Sequence, residues 1–205
     1  NVAYLNRNGK KISQISKMSE EAISDEVVHL SDSSLEPSNQ TSALVISMVN
    51  MDELRFEKII GTNTLQFGLE RTMIEIVYPF LKRIGILWQT GNINPAHEHF
   101  ITGLIRQKLI VAIDGQMVAQ HDSARKYVLY LPEGELHEIS LLFAAFIVKS
   151  RFNKLIYLGQ SLPHQDLERV CEFYKPDAIF TMLTNSPGKD EVVPYVQSLV
   201  DRFPE

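Results

Sequence analysis

The chain has 205 residues, 44% hydrophobic and 22% charged, with a formal net charge of −5, a length that accommodates one large domain or two modest ones. The acidic balance argues against these residues alone being a strong nucleic-acid binder, because neutralising phosphates takes clustered Lys and Arg. The apolar run "ISLLFAAFIV" stops well short of the roughly 18 residues of a membrane span, and no basic stretch followed by an apolar one opens the chain.

Three zones follow in order. In residues 1–30, Ile12, Ile15, Met18, Ala22 and Ile23 recur at helical spacing with Ser breaks between them, which predicts two short helices. "LSDSSLEPSNQTSA", residues 30–43, is Ser-rich and contains Pro, so a linker is expected over 31–43. Residues 44–120 are helical in period throughout. "LVISMVNMDELRFEKIIGTNTLQFG" predicts one helix and a turn near Gly61-Thr62-Asn63. "LERTMIEIVYPFLKRIGILWQTG" predicts a longer helix interrupted at Pro79 and closed by Gly91. "NPAHEHFITGLIRQKLIVAIDG" predicts a helix capped by Asn94 with Pro95 at its first position. Helices joined by short turns, each with an apolar stripe, suggest a four-helix bundle.

From Lys126 the period alternates. "KYVLYL", "KLIYLGQ" and "AIFTML" read as strands, and amphipathic helices follow each of them. The fold class expected over 126–205 is therefore α/β: a parallel sheet with helices on both faces. The lone cysteine, Cys171, excludes an internal disulfide framework, suits a reducing cytoplasm, and has the spacing of a core residue with Leu167, Val170 and Tyr174. The chain opens on Asn and stops after the third of these helices, so a piece of a longer protein with a truncated sheet is expected.

In an open α/β sheet, ligands sit off the carboxyl ends of the strands. Three loops fall there: "PEGELHE", "QSLPH" and "TNSPG". In the first, Glu135 lies two residues before His137. A carboxylate that takes one N–H of an imidazole fixes its tautomer and raises its basicity as a metal ligand. On its own, Glu-x-His is a common tripeptide, and His137 could equally be packed on the helix that follows. On the helix from Asn94, Glu98 opens the stripe continued by Ile101, Ile105 and Leu109; such a carboxylate is either paired or tips toward water. Trp88, the one tryptophan, is by itself more often core than site. His97 and His99 do not form a zinc pair of the His-Glu-x-x-His kind, because position 101 is Ile. His29, His121 and His164 sit among polar neighbours and read as surface. There is no Gly-x-Gly-x-x-Gly, no Gly-x-x-x-x-Gly-Lys and no Gly-x-Ser-x-Gly, and the chain is not expected to be an enzyme.

Trp88, nine intervening residues and then Glu98-His99 resembles the helical cap of cobalamin-binding regulators and of methionine synthase-like modules. "LPEGELHEISLL" followed by "YLGQSLPHQDL" resembles the Asp/Glu-x-His-x-x-Gly loop and second-strand loop of the Rossmann-like, flavodoxin-type cobalamin-binding domain. "NGKKISQISKMSEEAI" looks like the stretch that joins a MerR-type winged-helix DNA-binding domain to such a sensor. The resemblance covers about residues 40–205. It implies a four-helix cap over 44–120, a cobalamin-binding domain over 126–205, and adenosylcobalamin as cofactor, with His137 as the lower axial ligand to cobalt and Glu135 orienting it. It further implies that Trp88 covers the upper face of the corrin, that Glu98 and His99 contact the upper group, and that Ser161, Thr181 and Leu183 line the groove for the nucleotide tail.

Two residues depart from the family pattern: Ser140 stands where the family has Gly, and Gln89 follows Trp88 where light-sensing relatives have His. The resemblance implies the cytoplasmic sensor region of a MerR-type transcriptional regulator. In it the cofactor, with light as a candidate signal, would control homo-oligomerisation and DNA binding through a domain outside this chain. Two other functions fit the same residues: a corrinoid carrier protein of a methyltransferase system, and a degenerate sensor that has lost its cofactor and acts through protein contacts.

Overall fold

The computed structural model describes residues 2–7, 9–33, 36–89, 93–184, 188 and 190–203. The chain divides into two compact units, Asn1–Leu104 and Ile105–Glu205.

The first unit is helical. Helices α1 (Val2–Arg7), α2 (Ile12–Ile15) and α3 (Glu20–Ser33) occupy the region where two were expected. Leu5, Ile15 and Val27 form their common core, and Ile46 packs against it. The expected linker over 31–43 is largely helix: α3 runs to Ser33 and α4 spans Pro37–Val49. Pro37 supplies the pre-set φ that suits a first helical position. The Ser-rich composition misleads because these polar groups are buried and paired. Ser42 Oγ donates to Ser38 O and accepts from Arg83, and Gln40 Oε1 accepts from Asn63.

Helix α5 (Glu53–Phe67) contains the Gly61-Thr62-Asn63 segment where a turn was expected. The chain reverses earlier, at Asn50–Asp52, where Met51 takes the left-handed conformation and Asp52 caps α5 by accepting from Arg55 N. Asn63 stays helical because its buried amide donates to Ile59 O as well as to Gln40. Gly68, at φ +80°, ends α5. Then α6 (Leu69–Thr72), a π-helical turn (Met73–Val77) and α7 (Tyr78–Gln89) make up the longer helix expected from Leu69. The wide turn lies directly before Pro79, whose missing N–H and ring disfavour a regular bond to the preceding turn. Gly91 lies outside the described residues.

Helix α8 (Pro95–Asp114) begins as its sequence predicts: Asn94 Oδ1 accepts from Ala96 N at 2.8 Å, and Pro95 is the first helical residue. Ile101, Ile105 and Leu109 are buried. The unit boundary falls inside this helix, before the expected cap boundary at 120.

The second unit is α/β. Strands β1 (Lys126–Pro132), β2 (Lys154–Leu162) and β3 (Ala178–Thr181) form a parallel sheet in the order β2-β1-β3, connected by α9 (Ile139–Ser150) and α10 (His164–Tyr174) and followed by α11 (Val192–Arg202). Period-two alternation along β1 sends side chains to two cores. Val128 and Tyr130 pack with Leu167 and Cys171 of α10 and with Leu199 and Phe203. Leu129 and Leu131 pack with Leu141 and Ala145 of α9, and Ile113 joins them. Cys171 is core, as its spacing indicates. The pairing of β1 with β2 shifts register after Leu129 and again after Tyr130. Gly159 and Ser161 both have positive φ near the end of β2, so the strand's irregular end lies where a site is expected.

Candidate functional site

The loop between β1 and α9 carries four successive side chains, two exposed ones flanked by two buried ones. Glu135 is fully buried and Glu138 is 7% exposed, whereas Leu136 between them is 60% exposed. The His137 side chain, also between them, is 57% exposed. The loop thus presents Leu136 and His137 outward from two buried carboxylates.

Glu135 is held by donors from two loops. Its Oε1 accepts from Leu136 N and His137 N, each at 3.0 Å, and lies 2.6 Å from His137 Nδ1. Its Oε2 accepts from Thr184 N at 2.9 Å and Thr184 Oγ1 at 2.6 Å. A buried carboxylate is tolerated when its lone pairs are satisfied in this way. The end of β2 closes the arrangement: Ser161 N donates to Glu135 O, Gly134 N donates to Ser161 Oγ, and Gln160 Nε2 donates to Leu136 O at 2.6 Å. The loops after β1 and β3 and the carboxyl end of β2 therefore meet at Glu135.

The chemical result is a directed imidazole. With Nδ1 engaged by Glu135, and Thr184 Oγ1 3.1 Å away, the nitrogen left to donate a lone pair is Nε2. A metal that brings its own equatorial donors, as in a corrin, needs one such protein ligand. Among the described residues no group of three or more His, Cys, Asp and Glu side chains is gathered as a bare ion would require. The donor set fits a macrocyclic metal.

Of the residues expected in the tail groove, Ser161 belongs to this cluster. Thr181 ends β3 with its hydroxyl oxygen buried and lacking a hydrogen-bond partner, and Leu183 is half-buried. Trp88, Glu98 and His99 belong to the first unit. Trp88 lies near the end of α7 with 48% exposure; Glu98, half-buried, and His99, exposed, lie in the first turn of α8. Thr184 and Gln160 were not singled out from sequence, although both lie in or beside the loops that were. His164 corrects a surface expectation: it is the first residue of α10, its Nδ1 is buried without a partner, and its ring packs edge-on against Tyr195 at 6.2 Å. The side chain of His29 lies outside the described residues.

Residues 41–112 match the family described as "B12 binding domain". The matched segment contains Trp88, Glu98 and His99, the residues whose spacing carries the resemblance. The HTH-type transcriptional repressor CarH of Myxococcus xanthus is 30% identical over 105 residues, which is 51% of this chain and 34% of that protein. The chain thus spans about a third of the length of that relative. A crystal structure of a cobalamin-binding protein from Desulfitobacterium hafniense DCB-2 aligns over 82% of this chain and 78% of its own length, at 15% identity and a TM-score of 0.40. The α/β unit carrying His137 has the fold class expected for it. No helix among the described residues is long and apolar enough to cross a membrane.

Proposed function

We propose that this chain is the cobalamin-binding sensor region of a transcriptional regulator, that adenosylcobalamin is its cofactor, and that it is not an enzyme. The observation that carries the reading is the Glu135–His137 pair, a buried carboxylate on Nδ1 with Nε2 left to coordinate, in a chain whose residues 41–112 match a B12 binding domain. When bound, the corrin supplies a cobalt centre with a weak upper bond. The chain's residues hold and orient it. His137 would supply Nε2 to the cobalt, Glu135 and Thr184 would fix its tautomer and rotamer, and Ser161, Thr181 and Leu183 would hold the nucleotide tail. Trp88, Glu98 and His99, in the segment that matches the B12 binding domain, would contact the cofactor. The similarity to a repressor and the acidic charge of these residues support placing DNA contact in a segment outside them, with oligomeric state as the output.

The test is direct. Protein is incubated with adenosylcobalamin, desalted and scanned before and after green light, with size-exclusion profiles of each state. Retained corrin with an imidazole-ligated spectrum, lost in His137→Ala, is expected, with quenching of the single Trp88 on loading. Absence of retained corrin absorbance removes the reading, and an unchanged profile in every state removes the assembly output.

A further inference from the structure

Glu138 follows His137 and sits at the N-cap position of α9, yet its side chain makes no capping hydrogen bond. Both of its oxygens are engaged elsewhere. Oε1 accepts from Arg106 Nε on α8, and Oε2 accepts from Tyr157 OH on β2 at 3.1 Å. A carboxylate this buried is costly unless paired, so the two donors are structural requirements of the position. Burial, and then the charge of Glu138, push the Tyr157 phenol above its ordinary value, so it remains an O–H donor.

We propose that Arg106 and Tyr157 are positioning residues for His137. The proposal rests on the reading of His137 as the cobalt ligand. The imidazole projects from the short span between two anchored carboxylates. Glu135 ties the N-terminal side of that span to the loop after β3, and Gln160 ties Leu136 O to the end of β2. Glu138 ties the C-terminal side to α8 and to the middle of β2. Releasing Glu138 leaves the Glu135 contact to the ring intact but frees the peptide to turn about the start of α9. The ring then samples orientations in which Nε2 misses the metal. Arg106 presents a single nitrogen to the carboxylate, so a lysine there retains much of the effect, whereas a neutral side chain does not.

The experiment compares Arg106→Gln, Arg106→Lys and Tyr157→Phe with wild type in the full chain. The first readout is the spectrum of bound adenosylcobalamin at one fixed pH, which separates imidazole-ligated from unligated corrin. The second is backbone amide exchange at His137 in the cofactor-free protein. Arg106→Gln is expected to shift the ligation equilibrium about tenfold toward the unligated form, roughly 1.4 kcal/mol. Arg106→Lys is expected to shift it by less than about threefold, and circular dichroism should not change in either. His137 amide protection should fall by about tenfold in Arg106→Gln. Wild-type ligation in both Arg106→Gln and Tyr157→Phe overturns the proposal. If Arg106→Gln loses its fold, Tyr157→Phe, which removes one hydroxyl, decides alone. If wild type retains no corrin, the cobalamin reading falls and amide exchange decides: unchanged protection in the variants overturns the positioning role, and lost protection supports it.

Discussion

Replacing Glu135 by Gln keeps the shape of the side chain and removes its charge. One carboxylate oxygen accepts from Leu136 N, His137 N and His137 Nδ1, and the other from the amide and hydroxyl of Thr184. A Gln amide has one acceptor end, so its NH2 must face one of these donor sets. If it faces Thr184, the hydroxyl can turn to accept, but the Thr184 N–H loses its acceptor and the buried Glu135 side chain loses a donor. A lost bond to a charged acceptor is worth about 1.5–3 kcal/mol, and the remaining bonds weaken as the charge goes. The expected loss is about 3–4 kcal/mol, within the range for removing one partner of a buried charged pair. For a unit of this size that lowers Tm by roughly 12–32 °C. Urea and thermal unfolding followed by circular dichroism measure it. A loss below about 1 kcal/mol would refute the claim that this carboxylate joins the loops after β1 and β3.

Three further outcomes are expected. Tyr130, Tyr157 and Tyr195 have phenols raised above 10.0, chiefly by burial, so the unfolded chain ionises them first as pH rises. The stability they contribute is full below pH 10 and declines above it; urea midpoints should fall between about pH 10 and 11.5, and less steeply in Tyr130→Phe. Burial also raises the Cys171 thiol, which is 6% exposed, so a disulfide reagent should label it slowly in the native protein and rapidly in urea; equal rates would contradict its core position. Asp52→Ala removes the cap on Arg55 N and should cost about 1 kcal/mol in urea unfolding, while a neutral result would place the α4–α5 reversal elsewhere.

Legibility in the sequence tracked how local the determining forces are. The β1–α11 alternation could be read because each strand buries a continuous apolar run and each helix shows one stripe. The α8 start was legible because Asn94 and Pro95 act within one turn. The stretch 31–43 was misread because Ser42 and Gln40 find partners at Arg83 and Asn63, 41 and 23 residues away, which no local composition reveals. Glu135 and His137 could be paired from adjacency. Thr184, 49 residues on from Glu135, could not, because only the β2-β1-β3 order brings its loop there. Glu138 was likewise invisible as an anchor, since its partners Arg106 and Tyr157 lie 32 and 19 residues away.

The wide turn at Met73–Val77 has a consequence for what lies downstream. Each extra residue in a helix rotates everything after it by about 100°. A π-helical turn takes up such a residue within its wider circuit, so the residues after it keep the face of a plain helix one residue shorter, with Phe80 and Ile84 buried. The one tryptophan of the chain, about a dozen positions downstream, thus keeps its heading across a surplus residue.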